Sequence, residues 1–380
     1  MKAEWQTKSL GSLCDILDNQ RKPITKRDRT PGEYPYYGAT GVQDFVAGYL
    51  FDEPLVLVGE DGAKWGSGEN TAFAIQGKCW VNNHAHVLRP HRALLMDNWL
   101  IYFLVHSDLW EFVSGLTVPK LNQASLREIP TPLPPLPEQQ RIVAILDQAL
   151  DGIAKARANT EQNLQNARAL FESHLQSVFS QRGEGWRQKT LEEMAITFGR
   201  GKSRHRPRNE PRLYGGEYPF IQTGDIRNAD HFITEYSQTY SEAGLAQSKL
   251  WPKGTICITI AANIAETGIL SFDACFPDSV IGMVANPKEA NVDYVEFLLQ
   301  SFKARIQSMG KGSAQANINM GTFENERFPF PSVSEQKQIV IKLNSLREDT
   351  QRLESLYQRK LATLDELKKS LLHQAFSGAL

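Results

Sequence analysis

Gly199-Arg200-Gly201-Lys202-Ser203 ends like a phosphate-binding loop, in which glycine amides cradle a phosphate and a lysine adds its charge. Such a loop also needs a glycine five residues before Gly201, and this chain has Ile196 there, so nucleotide binding is disfavoured. No G-x-G-x-x-G turn follows a strand, which argues against a dinucleotide or methyl-donor cofactor and so against a catalytic methyltransferase or dehydrogenase. Asn82-Asn83-His84-Ala85-His86 sets two histidines on one side of an extended chain, as a metal site could. No third histidine or carboxylate stands at a recognised ligand spacing, and polar structural or nucleic-acid contacts are the better reading, Asn83 and His84 included. Pro277-Asp278 resembles the start of a nuclease motif, but the Glu-x-Lys or Asp-x-Lys that should follow is missing from the next strand-length segment. Cys14, Cys79, Cys257 and Cys275 are far apart and read as buried reduced thiols. No catalytic, cofactor-binding or metal-binding residue is assigned.

Positive charge is more informative. Residues 199–212 hold Arg200, Lys202, Arg204, Arg206, Arg208 and Arg212 with His205, against Glu210 alone. Near the start of the chain Arg21, Lys22, Lys26, Arg27 and Arg29 face only Asp18 and Asp28. A solvated charged loop would account for either cluster by itself, but two in corresponding places favour contact with phosphates. Gln43, after Gly38-Ala39-Thr40-Gly41, and Gln222-Thr223 lie nearby and could read base edges.

The clusters correspond because the chain is an internal duplication. Trp5-Gln6-Thr7-Lys8-Ser9-Leu10 returns as Trp186-Arg187-Gln188-Lys189-Thr190-Leu191, and Gly32-Glu33-Tyr34-Pro35-Tyr36 as Gly216-Glu217-Tyr218-Pro219-Phe220. Leu121-Asn122 matches Ile318-Asn319, and Glu138-Gln139 matches Glu335-Gln336, at one constant offset. Each copy is a mixed segment followed by a long helical one. Ile142, Leu146, Ile153, Leu164 and Phe171 in the first, and Ile339, Leu343, Leu346, Leu353, Leu361, Leu364 and Leu371 in the second, follow three- and four-residue steps that make a narrow coiled-coil seam. A stripe of this kind could instead pack on its own domain. A helix of about 42 residues is about 63 Å long, however, well beyond the width of a domain of roughly 140 residues. Much of each seam therefore needs a partner outside its copy, and the other helix is the obvious one. Pro130-Thr131-Pro132-Leu133-Pro134-Pro135-Leu136-Pro137 and Phe328-Pro329-Phe330-Pro331 read as stiff hinges before the helices. Apolar runs Leu55-Val56-Leu57-Val58 and Thr255-Ile256-Cys257-Ile258-Thr259-Ile260 predict buried strands, and residues 98–107 and 293–305 predict helices, an α+β or mixed α/β pattern.

The composition is globular, 41% hydrophobic and 22% charged, and 42 basic against 43 acidic residues leave a net charge of -1. Near-neutrality argues against tight DNA binding by the chain alone, unless the positive charge is local. No apolar run approaches the roughly 18 residues of a membrane span, and MKAEWQTKSL lacks the apolar core of a signal peptide, so a cytoplasmic location without membrane contact is expected.

The whole chain resembles the specificity subunit of type I restriction-modification systems. The residues that carry the resemblance are Tyr36-Tyr37-Gly38-Ala39-Thr40-Gly41, Gly59-Glu60-Asp61-Gly62-Ala63, Trp80 to Leu88, Lys120-Leu121-Asn122 and Pro135-Leu136-Pro137-Glu138-Gln139-Gln140-Arg141-Ile142. The second copy keeps Gly224-Asp225-Ile226 and the run to Pro331 but lacks the Glu-Asp-Gly and Asn-Asn-His-Ala-His strings, as domains reading unlike half-sites would. The resemblance implies two recognition domains, 1–135 and 182–331, alternating with helices 136–181 and 332–380. It implies a non-catalytic, double-stranded-DNA-binding subunit that binds no cofactor itself. It would recruit two modification subunits that use S-adenosylmethionine, and two restriction subunits that use ATP and Mg²⁺. Lys120 joins the candidate DNA contacts on this basis. Packed antiparallel, the helices would relate the domains by a pseudo-two-fold axis like the dyad of DNA and act as a ruler, with half-sites about one helical turn apart. The alternative is a duplicated coiled-coil scaffold that binds proteins without reading DNA.

Overall fold

The computed structural model describes residues 5–115, 117–181, 183–205, 207–261, 263–309, 318 and 320–380. The chain divides into two compact units, Met1–Asn163 with Tyr357–Leu380, and Leu164–Leu356. Each contains a mixed α+β part and a portion of both long helices, Leu136–Ser180 and Val333–Phe376.

In the first unit, Leu55–Gly59 is a continuous apolar, β-branched run and forms a strand buried at every residue. It lies inside a four-stranded sheet ordered Cys14–Ile16, Ala85–Pro90, Leu55–Gly59, Ala72–Ile75, with antiparallel pairing throughout. A second sheet is ordered Gly41–Val46, Pro31–Gly38, Lys78–Val81, Phe51–Asp52. Helix Asp97–His106 buries Trp99, Leu100, Phe103 and Leu104. The second unit has a five-stranded sheet ordered Ala195–Arg200, Val280–Ala285, Ile256–Thr259, Thr267–Leu270, Phe232–Ile233. Its core takes in Tyr294, Val295, Phe297 and Leu298 of helix Val292–Met309. All four cysteines are free and buried, and burial pushes the Cys14 thiol up to about 12 and that of Cys79 to about 11.

The expected proline hinges are strands. Pro130–Leu133 pairs antiparallel with Gln6–Ser9, and Phe328–Phe330 with Arg187–Lys189, so each duplicated tryptophan segment clasps the proline segment of its own copy. Prolines fit because each strand belongs to a two-stranded sheet and needs only one hydrogen-bonding edge. Trp99 Nε1 donates to Pro132 O at 2.9 Å, and the Tyr294 hydroxyl to Pro329 O at 2.7 Å. One turn into each long helix a fully buried glutamine completes the clasp. Gln139 Oε1 accepts from Met96 N at 2.9 Å while its Nε2 donates to Leu94 O and Pro134 O, both at 2.8 Å. Gln336 repeats the pattern, accepting from Asn291 N at 2.8 Å and donating to Glu289 O and Pro331 O, both at 3.0 Å.

Within each unit the two long helices run antiparallel. In the first, Arg141 donates to Leu380 O at 2.9 Å and Arg157 pairs with Asp365; in the second, Arg168 pairs with Glu354 at 2.9 Å. Toward the domains the seams sink into globular cores: Ile142, Leu146, Leu372 and Ala375 join Trp99 and Leu100 in the first unit, and Leu175, Phe179 and Leu343 join Tyr294 and Phe297 in the second. Phe171, Ile339 and Leu371 are half-buried against these same cores, and elsewhere the seam is half-buried at Ile153, Leu164, Leu346, Leu361 and Leu364. Leu353, expected in the core, is 36% exposed. A helix with a single partner is covered on one side only, so a seam residue off the line of closest approach keeps contact with water. Packing on a domain thus describes the helix ends, and coiled-coil packing the stretches between.

The second helix completes the first unit's core, where the Phe376 ring lies 4.8 Å from Trp99 and 5.7 Å from Phe103. Leu372→Ala should therefore destabilise the first unit by about 2–4 kcal/mol. Hydrogen exchange should show the loss in helix Asp97–His106, far away in sequence; protection unchanged there would refute it.

In the second unit, His231 Nε2 lies 3.0 Å from Asp293 Oδ1 and its Nδ1 2.6 Å from Glu296 Oε2. Burial alone would lower the His231 pKa, but the bonds to the two carboxylates outweigh it and hold it above its ordinary 6.5, while the same contact lowers Asp293. The His231 contribution to stability is full below pH 6.5 and is lost as pH rises through the raised value. The Asp293 contribution is full above 3.8 and is lost as pH falls through the depressed value. His231→Gln should accordingly cost most near pH 5–6 and progressively less toward pH 9, read from thermal midpoints. A penalty independent of pH would contradict this account.

Candidate nucleic-acid interface

The first basic cluster divides in two. Arg21 turns inward: its side chain is 12% exposed, donates to Ala85 O at 2.7 Å and pairs with Glu60 and, at 3.4 Å, with Asp18. Arg29 lies over the Tyr36 ring at 4.3 Å and pairs with Asp44 at 3.0 Å. Two guanidiniums of the charge run are thus engaged by carboxylates and an aromatic face of their own domain. Lys22, Lys26 and Arg27 are exposed.

Glu60 and Asp61, from the Glu-Asp-Gly string, hold positive groups in place. Lys120 Nζ is 2.7 Å from Glu60 and 4.0 Å from Asp61, and His84 Nδ1 bonds Asp61. Asn83 is exposed beside it. His86 is fully buried, with Nδ1 2.6 Å from Asp18 and Nε2 2.7 Å from Leu121 O. Asp18, Glu60 and His86 therefore converge closely enough to hold a cation, a grouping that sequence spacing could not show. Arg21 and Lys120 already neutralise these carboxylates, so the cluster is satisfied as an ion-pair network.

In the second unit the basic loop leaves the end of strand Ala195–Arg200. A Cβ on Gly201 would come within 2.2 Å of Phe276 O and 2.4 Å of Pro277 O, so this glycine serves close packing of the loop on a neighbouring turn. Arg200 Nε donates to Asp278 O at 2.7 Å, and Arg208 reaches both Asp278 carboxylate oxygens at 2.8 and 3.0 Å. His205 and Arg212 both engage Glu210, and the hydrogen bond from His205 holds that carboxyl below its usual range. Lys202 and Arg204 are exposed and form no ion pair among the described residues; Arg206 lies outside those residues. Arg208, Gln222 and Thr223 line one cavity of about 330 Å³ with Tyr214, Gln238 and Ser279. Asp225 fixes its rim, its Oδ2 accepting from Gln222 N at 2.8 Å. Sequence reasoning missed Asp278, Tyr214 and Gln238. Asp278 was visible only as the start of a nuclease motif, and its partner Arg208 is distant in sequence.

In the first unit Lys120 and His84 are held by Glu60 and Asp61 next to exposed Asn83, and in the second Arg208 lines a cavity with Gln222 and Gln238, so each unit sets basic groups among amide side chains. The chain belongs to the type I restriction modification DNA specificity domain family, whose model matches residues 2–164 and again 183–361. It is a DNA-recognition subunit without catalysis of its own. A Haemophilus influenzae protein named as a type I restriction enzyme specificity subunit is 28% identical over 89% of this chain and 86% of its own length. The EcoKI specificity subunit of Escherichia coli K12 is 23% identical over 86% of this chain and 75% of its own. Among solved structures, a type I R-M system chain has a TM-score of 0.77 over 100% of this chain and 99% of its own, at 18% identity. The HsdS subunit of Thermoanaerobacter tengcongensis has a TM-score of 0.62 over 100% and 98%, also at 18% identity. No helix among the described residues is long and apolar enough to cross a membrane.

Proposed function

We propose that each α+β part reads one half of a bipartite DNA target, within boundaries of 1–135 and 182–331, and that helices 136–181 and 332–380 set the spacer and dock modification subunits. The observation that carries this is the recurrence, in both units, of basic groups among amide side chains: Lys120 and His84 next to Asn83 in one, and Arg208 in one cavity with Gln222, Thr223 and Gln238 in the other, with Lys22, Lys26, Arg27 and Gln43, and Lys202 and Arg204, exposed on the same two units. Arg200, His205 and Arg208 contact phosphate by exchanging their carboxylate or carbonyl partners for it; Arg21 and Arg29 act from within the domain by fixing the loop. The complex contains two modification subunits that use S-adenosylmethionine and two restriction subunits that use ATP and Mg²⁺, and works in the cytoplasm.

Co-expression of the chain with its modification subunit, followed by methylome sequencing, tests the reading. A single bipartite motif is expected, with unlike half-sites. Methylation without any consensus sequence would refute it.

A further inference from the structure

The hairpin Pro31–Gly38 and Gly41–Val46 carries an irregularity with a consequence for specificity. Gly38 pairs with Gly41 and Tyr37 with Val42, but Tyr36 pairs with Asp44, so Gln43 is an extra residue without a partner across the ladder. A bulge of this kind turns a side chain out of the alternation that a regular strand would impose. The Gln43 side chain lies along Gly38: a Cβ there would be 2.9 Å from Gln43 Cγ and 3.2 Å from both Cδ and Nε2. Only hydrogen at that position leaves the side chain its place. Gln43 is exposed, and its amide has no hydrogen-bond partner among the described residues. The residues beside it are anchored. Asp44 accepts from Arg29 at 3.0 Å and from Phe45 N at 2.9 Å, and Arg29 stacks on Tyr36 across the ladder. Val42 and Phe45, next to Gln43 on the same strand, are 48% and 52% exposed.

We infer that Gln43 reads one adenine in the half-site of the first domain, and that Gly38 is the positioning residue that aims it. This rests on the DNA-recognition reading above. A glutamine amide offers a donor and an acceptor on one edge and matches adenine N6 and N7 in the major groove, while neighbouring apolar atoms suit the methyl group of thymine. Holding the amide against Gly38 before DNA arrives limits the conformations lost on binding.

The test uses the full chain with its modification subunit in a host without other adenine methylation, and compares the methylome motifs of the parent, Gln43→Ala, Gly38→Ala and the double variant. Gln43→Ala should relax one base-pair position of one half-site by about tenfold or more, leaving the other half-site intact. Gly38→Ala should relax the same position without lowering the thermal midpoint, since only a flexible side chain stands in the way of the methyl group. The double variant should be no more relaxed than Gln43→Ala. A half-site untouched by Gln43→Ala overturns the inference while the parent's motif upholds DNA recognition. No effect of Gly38→Ala, or an effect that adds to that of Gln43→Ala, overturns the role of Gly38. A parent without any motif would instead fail the DNA-recognition reading itself.

Discussion

Gln139→Ala is expected to destabilise the first unit by about 3 kcal/mol or more, and Gln336→Ala the second by a similar amount. Each glutamine is fully buried and its amide serves three backbone groups. Truncation strands the Met96 N–H and the Leu94 and Pro134 carbonyls, or their counterparts in the second unit, and each stranded group costs about 1–3 kcal/mol. Water entering the vacated space would recover part of that, so the total falls below a simple sum. Glutamate is no remedy, because it cannot donate to the two carbonyls and would carry a charge into a buried site. Denaturant unfolding followed by hydrogen exchange in each unit checks both variants. A loss below about 1 kcal/mol would show that the clasp is held by packing rather than by the amide.

Exchanging Lys202 and Arg204 for glutamine is expected to weaken DNA binding by about tenfold or more at low salt and to reduce the slope of log affinity against log salt by about 2, without change in folding. Both side chains are exposed and free of ion pairs among the described residues, so their charge is available to phosphate and their removal disturbs no packing. Arg21→Gln should behave in the opposite way. Its guanidinium answers Glu60 and Asp18 inside the first domain, and removing it leaves those carboxylates short of a counter-charge, so stability falls. Titration of DNA at several salt concentrations separates the cases. An unchanged slope for the Lys202 and Arg204 variant would place that loop off the DNA.

The duplication, the two long helices and the alternation of mixed and helical segments were legible because they rest on local signals: repeated words, three- and four-residue periodicity and runs of β-branched residues. Leu55–Gly59 and Ile256–Thr259 form where apolar composition placed strands, and the helices Asp97–His106 and Val292–Met309 overlap the helical stretches expected at residues 98–107 and 293–305. The charge runs showed where positive residues are dense but not which ones are free. That depends on partners distant in sequence: Arg21 meets Glu60, Arg29 meets Asp44, and Arg208 meets Asp278. The role of the glutamine in Pro-Glu-Gln was equally hidden, since its partners, at Leu94 and Met96 or at Glu289 and Asn291, come from loops with no recognisable motif. Exposure of Leu353 depends on how many neighbours a helix has, which periodicity does not report.

The burial of Leu372 and Ala375 beside Trp99 and Leu100 also bears on how the chain is made. Residues up to Asn163 leave the ribosome well before those from Tyr357 onward, which belong to the same unit. At elongation rates of about 5–20 residues per second the interval is on the order of ten to forty seconds. During it Trp99 and Leu100 lack Leu372, Ala375 and Phe376, the side chains that complete the core around them. The domain synthesised first is therefore the one that must wait, and a nascent chain stalled in its second half should be the species most dependent on chaperones.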